Sequence, residues 1–160
     1  MKLYLVQHGE AAAESENPKR PLTEQGKMDV KKVAHFLDQD GVEVDRIWHS
    51  AKTRAIQTAE IFAEALHIKE LCQEQEGLNP NDSVDPVLKK IIGIKPEDEI
   101  ENLMIVGHLP FLQKLASSLL SGEPPQELIQ FHQGGVVCLE KLDEGPWQFV
   151  WAVIPDLLKS

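Results

Sequence analysis

Two short apolar runs set the strongest limit on how this chain can fold. Leu3-Tyr4-Leu5-Val6 and Leu103-Met104-Ile105-Val106 are apolar at every position, and each ends on a polar turn, Gln7-His8-Gly9 in one case and Gly107-His108 in the other. A strand that is apolar at consecutive positions has to be covered on both faces, as in a sheet flanked by helices on either side. Val44 to Trp48, ending at His49-Ser50, reads as a further strand candidate.

The segments between these runs have helical periodicity. Thr23 can cap a helix with Val30, Val33, Ala34 and Leu37 on one face, stopped by Gly41. A second helix carries Ala55, Ala59, Phe62 and Leu66, with Arg54 in its first turn. Ile68 to Leu71 reads as a short strand. Val84, Val87, Leu88, Ile91 and Ile92 mark a third helix, for which Asn81, Asp82 or Ser83 could serve as cap. Pro110 suits the first turn of a fourth, lined by Leu112, Leu115, Ala116 and Leu119. Gly135 to Leu142 and Trp147 to Ile154 read as antiparallel strands joined through Asp143-Glu144-Gly145-Pro146.

Strands alternating with helices, closed by a terminal hairpin, predict an α/β fold: three layers, α/β/α, around a mostly parallel mixed sheet. At 160 residues the chain can close one substantial core, so residues 1–160 are read as a single domain. No apolar run is long enough to cross a membrane, and Met1-Lys2 leads into the first strand without a cleavage signal, so a cytoplasmic protein is expected. Two cysteines, Cys72 and Cys138, suggest neither a disulfide framework nor a thiolate metal site and read as buried fillers.

Charge narrows the function. With 26 Asp and Glu against 16 Lys and Arg, the net charge of -10 disfavours nucleic acid, and it repels phosphate unless a local cationic pocket overrides it. Ligands of open α/β sheets collect beyond the carboxyl ends of the strands, which gathers His8, Ser50 to Arg54 and His108 at one rim. A histidine nucleophile, an arginine fork and a second histidine suffice for phosphoryl transfer. Neutral His8 can attack phosphorus, Arg54 can grip two oxygens, and His108, if protonated, can donate to a third. No metal or other cofactor is required by this scheme.

These residues also carry a family resemblance. Gln7-His8-Gly9-Glu10 resembles the Arg-His-Gly motif of the histidine phosphatase superfamily, and Gly107-His108-Leu109-Pro110 resembles its second histidine motif. Arg20-Pro21-Leu22-Thr23 with Gly26, and Ser50-Ala51-Lys52-Thr53-Arg54-Ala55 with Gln57-Thr58-Ala59, are similar to two further segments, in the same order. The resemblance spans roughly the first three quarters of the chain, and the absence of a large inserted cap points to the small SixA-like branch. It implies a phosphoglycerate-mutase-like fold, His8 as nucleophile, Arg54 and His108 on the phosphate, and Gly9 and Arg20 as further contacts. The implied activity is phosphatase action through a phosphohistidine. Its substrate is expected to be a phosphorylated protein such as a histidine phosphotransfer domain. A small-molecule phosphomonoesterase is the alternative.

Gln7 stands where the family has an arginine, and Ala51 where it has a proline. The loss of a charge-assisted donor at Gln7 predicts a penalty of about tenfold to a hundredfold in phosphate stabilisation, unless Lys52 or Arg20 supplies the charge. A phosphate or phosphohistidine binder with weakened catalysis is therefore a third reading. The general acid is not evident. Glu76 and Asp82 lie in a loop that could present one but could equally be loop or cap residues, while Glu10 is read as holding the glycine loop. His35, His49, His67 and His132 read as structural or solvated, His49 being the one at the rim. The acidic stretch Glu97-Asp98-Glu99 with Glu101 reads as a solvated approach to a strand.

Overall fold

A computed structural model of the chain describes residues 1–122 and 127–159. Its sheet is built from β1 (Lys2–Gln7), β2 (Arg46–His49), β3 (Cys72–Glu74), β4 (Asn102–Gly107), β5 (Val136–Lys141) and β6 (Trp147–Val153), in the order β3-β2-β4-β1-β5-β6. The first four strands run parallel, and β5 and β6 are antiparallel to their neighbours, giving the mixed sheet predicted from the terminal hairpin. The helices are α1 (Glu24–Gln39), α2 (Thr53–Ala65), α3 (Asp85–Ile92) and α4 (Phe111–Ser121).

The apolar runs are covered on both faces for the reason given by their composition. Leu3, Leu5, Leu103 and Ile105 pack with Val87, Ile91, Phe111 and Leu115 of α3 and α4. Tyr4, Val6, Met104 and Val106 pack with Val33, Leu37, Ala59 and Phe62 of α1 and α2. Each of these eight strand residues is at most 2% exposed, and burying a side chain of this size is worth roughly 1.5 to 3 kcal/mol. These two packed layers fix the central strands, so the turns at their carboxyl ends are rigidly placed.

Several element boundaries differ from the sequence reading. Ile68 to Leu71 is no strand. Ile68 N closes the end of α2 on Ala63 O, Leu71 N closes a 3-10 turn over Lys69–Leu71 on Ile68 O, both at 2.9 Å, and the ladder with β2 starts only at Cys72. Strand β2 starts at Arg46 rather than Val44; just before it, the Asp45 amide donates to Asn102 O at 2.8 Å and its carboxylate accepts the amides of Glu101 and Asn102 at 2.9 and 2.8 Å. Helix α3 has Val84 at its N-cap, with no side-chain cap. Asp82 is turned to the Asn79 amide at 2.9 Å, and Ser83 Oγ accepts only from Asp85 N at 3.2 Å. Ile92, the last position of the α3 stripe, is 78% exposed because the helix ends there. The cap Thr23, the stop at Gly41 (φ +74°) and the solvated stretch Glu97 to Glu99 stand as read.

Candidate active site

Strand β1 delivers His8 to the rim, where its amide continues the ladder to Gly107 O at 3.0 Å and its side chain is 7% exposed. The ring is fixed by Nδ1 and the Gly9 carbonyl, 2.7 Å apart. A carbonyl oxygen can only accept, so Nδ1 carries the proton and the lone pair of the neutral ring lies on Nε2. The Gly9 amide donates to Thr58 Oγ1 at 3.0 Å, and that hydroxyl donates to Arg54 O at 2.8 Å. The first turn of α2, which carries Arg54, is thereby tied to the loop that carries His8.

Close packing of this loop explains two glycines. A Cβ on Gly9 would stand 2.8 Å from Val30 Cγ2, and one on Gly26 would run into Glu10 O. Thr23 Oγ1 accepts the Gly26 amide at 2.9 Å and donates to Glu10 Oε1 at 2.7 Å, so Glu10 holds the glycine loop. The Arg20 segment is latched from the other side by Leu22 N to Gln57 Oε1, 2.7 Å. Arg20 has a left-handed backbone (φ +48°), and its Nε donates to Ala12 O at 3.0 Å.

His108 follows β4 and is 1% exposed, with its ring centroid 5.1 Å from that of His8. Its Nε2 lies 2.6 Å from Ser50 Oγ, a hydroxyl that also accepts the Lys52 amide at 3.2 Å. Burial is the main cause that lowers both histidines, His8 to about 4 and His108 to about 3. Arg54 and Arg20 add to both shifts. His108 is lowered further by His8 and Lys52. These effects favour the neutral ring of His108 in the free protein, so the protonated donor considered from the sequence requires a bound anion to offset them. Arg54 is itself lowered, first by burial and then by Arg20.

Around the two rings, then, the acting charges of neighbouring side chains are cationic, in a chain of net charge -10. Among the described residues, the buried side-chain polar atoms without a partner are Gln7 Oε1, Arg54 Nε and His108 Nδ1, all at this rim. An unpaired buried polar group costs about 1 to 3 kcal/mol, so clustering three of them stores polarity where a ligand would compensate it. The sequence candidates His8, Gly9, Arg20, Arg54 and His108 are thus brought together. Gln7 stands beside them with its backbone carbonyl bound by Gly134 N at 2.9 Å. Glu76 is exposed in its turn, and Asp82 is committed to Asn79, so neither is tied to the histidines. The sequence reading assigned no role to Ser50, Gln57 or Thr58. All three stood within the matched motif, but their partners are 35 to 58 residues away.

Residues 3–79 match the profile of the "Histidine phosphatase superfamily (branch 1)". Phosphohistidine phosphatase SixA of Escherichia coli (strain K12) is 26% identical over 160 residues, covering 99% of this chain and 97% of that protein. A protein of Picosynechococcus sp. (strain ATCC 27264 / PCC 7002 / PR-6), SYNPCC7002_A2622, is 33% identical over 142 residues, 87% of this chain and 84% of its own. A solved structure of the protein histidine phosphatase SixA complexed with tungstate superposes with a TM-score of 0.86 at 26% identity, covering 99% of this chain and 100% of that one.

Proposed function

From the premise that this chain belongs to the histidine phosphatase superfamily, we propose that it is a phosphohistidine phosphatase that works through a phosphohistidine on His8 and needs no metal. The observation that carries this reading is the fixed ring of His8: Nδ1–H is spent on Gly9 O, leaving the Nε2 lone pair at a rim whose neighbouring charges are Arg54 and Arg20. A SixA of the same fold has been solved with tungstate, a tetrahedral oxyanion, which supports a phosphoryl-binding role for this rim.

In the first step His8 Nε2 forms a bond to phosphorus while the bond from phosphorus to the leaving nitrogen breaks. The electron pair goes to the departing imidazole, which leaves neutral because its other ring nitrogen has already taken a proton from solvent. In the second step water attacks the phosphohistidine, the nitrogen–phosphorus bond breaks, and inorganic phosphate leaves with His8 neutral again. Arg54 supplies a planar fork for two phosphoryl oxygens, and Arg20 and Lys52 contribute positive potential. His108, neutral when the site is free, gains affinity for a proton when an anionic phosphoryl group arrives and can then donate to a third oxygen.

Substrate choice follows from the leaving group. An alkoxide needs a proton donor, and Glu76 and Asp82 are not tied to the site, whereas imidazole leaves readily. A phosphohistidine presented by another protein, such as a phosphotransfer domain, is therefore the proposed substrate. The test is to trap label from a phosphohistidine-bearing protein: the protein should carry acid-labile, base-stable phosphate that His8→Ala abolishes. Turnover persisting in folded His8→Ala would remove His8 as nucleophile. A higher kcat/KM for sugar phosphates would shift the reading to a phosphomonoesterase, and phosphate binding without any turnover would leave a binder.

A further inference from the structure

The buried side-chain atoms without a partner at the rim, among the described residues Gln7 Oε1, Arg54 Nε and His108 Nδ1, ask different things of a ligand. Arg54 Nε can only donate, and His108 Nδ1 donates once an anion has drawn a proton onto the ring. Both suit the peripheral oxygens of a phosphoryl group, which accept. Gln7 Oε1 is itself an acceptor, so it has nothing to exchange with those oxygens. It calls for a hydrogen that the phosphoryl group does not carry.

The backbone of Gln7 is held from both sides. At the end of β1 it pairs with Gly107, the residue before His108, and its carbonyl accepts the Gly134 amide at 2.9 Å, while His8 follows it directly. The proposed reaction brings the phosphoryl group, the departing imidazole and water to this rim. The imidazole carries its N–H on the nitrogen remote from phosphorus. Water brings hydrogens of its own, and it has to be oriented for the second step. The carboxylates that could orient it are exposed or engaged: Glu76 is exposed in its turn, Asp82 accepts the Asn79 amide at 2.9 Å, and Glu10 accepts from Thr23 Oγ1 at 2.7 Å.

We propose that Gln7 Oε1 accepts a hydrogen of the attacking water and so turns the water oxygen toward the phosphorus carried by His8. This rests on the reaction proposed above and assigns a residue to its second half. The water oxygen bonds to phosphorus, the bond from phosphorus to Nε2 breaks with its electron pair returning to His8, and one water proton passes to a phosphoryl oxygen. His8 is then neutral, with Nδ1–H still on Gly9 O, phosphate departs as the monoanion, and Gln7 stays neutral throughout. Glutamine in place of the family arginine therefore has two sides: a charge lost from the first step and an acceptor gained for the second.

The experiment is rapid-quench kinetics with radiolabelled phosphoramidate as the phosphoryl donor, reading the rate at which label appears on His8 and, in a chase with unlabelled donor, the rate at which it is lost. Gln7→Met keeps the length of the side chain and removes the acceptor. Label should form within about twofold of the wild-type rate and be lost about tenfold more slowly, the effect of one missing hydrogen bond, so phosphorylated protein accumulates. Gln7→Arg, which restores the charge without the acceptor, should gain label faster and also lose it slowly. Loss of label at the wild-type rate in Gln7→Met would overturn the proposal and leave His8 as nucleophile. Equal slowing of both steps would overturn it too, since a residue that only supports the fold acts on both. Wild-type protein that takes up no label on His8 would overturn the proposal together with the reaction it rests on.

Discussion

Ser50 Oγ and His108 Nε2 meet at 2.6 Å across 58 residues of sequence, joining the end of β2 to the end of β4 at the centre of the rim. The hydroxyl also accepts the Lys52 amide, so it holds the turn into α2 while orienting the ring. Ser50→Ala leaves His108 buried with neither ring nitrogen bonded. We expect kcat to fall about tenfold, with KM for a phosphohistidine protein changed less, since a buried hydrogen bond of this kind is worth roughly 1 to 3 kcal/mol. Ser50→Thr, which keeps the hydroxyl, should recover most of the loss. Equal rates in the wild type and Ser50→Ala would show that His108 needs no such support.

Arg54 separates a fork from a point charge. Its Nε is buried without a partner, and α2 is anchored through Thr58 to the His8 loop, so the backbone that carries the guanidinium is held before any ligand arrives. Arg54→Ala should lower kcat by about a hundredfold or more, and Arg54→Lys should restore little of it. Single-turnover kinetics of the three proteins provide the check, and a near-normal lysine variant would contradict two-pronged binding.

Gln7 occupies the place of a family arginine, and its Oε1 is buried without a partner. Gln7→Arg introduces a charge beside a neutral His8 and should tighten vanadate or phosphate binding about tenfold, measured calorimetrically at fixed ionic strength. Unchanged affinity would mean that Arg20 and Lys52, whose fields already reach His108, fill that role.

The two site histidines should make stability depend on pH in a defined window. Both are lowered on folding from 6.5, His8 to about 4 and His108 to about 3, so below the ordinary histidine value the unfolded chain takes up protons that the native protein refuses. Their contribution is complete above pH 6.5 and is lost as pH falls from there toward 4 and 3. The slope is at most about 1.4 kcal/mol per pH unit for each histidine. Urea midpoints between pH 5 and 7 should therefore fall more steeply for the wild type than for His8→Gln, and equal slopes would refute this account.

Much of the architecture was legible because it rests on local pattern. The doubly covered runs Leu3–Val6 and Leu103–Val106 are apolar at consecutive positions, and that alone demands helices on both faces. The spacing of Val30, Val33, Ala34 and Leu37 sets the buried side of α1 in the same way. The motif order also placed His8, Arg54 and His108 at one rim, since parallel strands deliver their carboxyl ends to the same side. Where the pattern was short it misled: Ile68 to Leu71 has apolar residues only at its two ends, and its backbone closes α2 at Ile68 and then forms a 3-10 turn over Lys69–Leu71.

What the sequence by itself determined, then, is which residues reach the rim and which faces of the elements are buried. Only the tertiary structure decided how each group is held: the proton of His8 on Nδ1, the pairing of Ser50 with His108 and the latch of Thr58 on Gly9. The physical reason is that a hydrogen bond is fixed to a few tenths of an ångström by two segments at once. Side-chain periodicity is a property of one segment, whereas Ser50 finds His108 only because β2 and β4 pair in register, Arg46 with Leu103 through His49 with Val106.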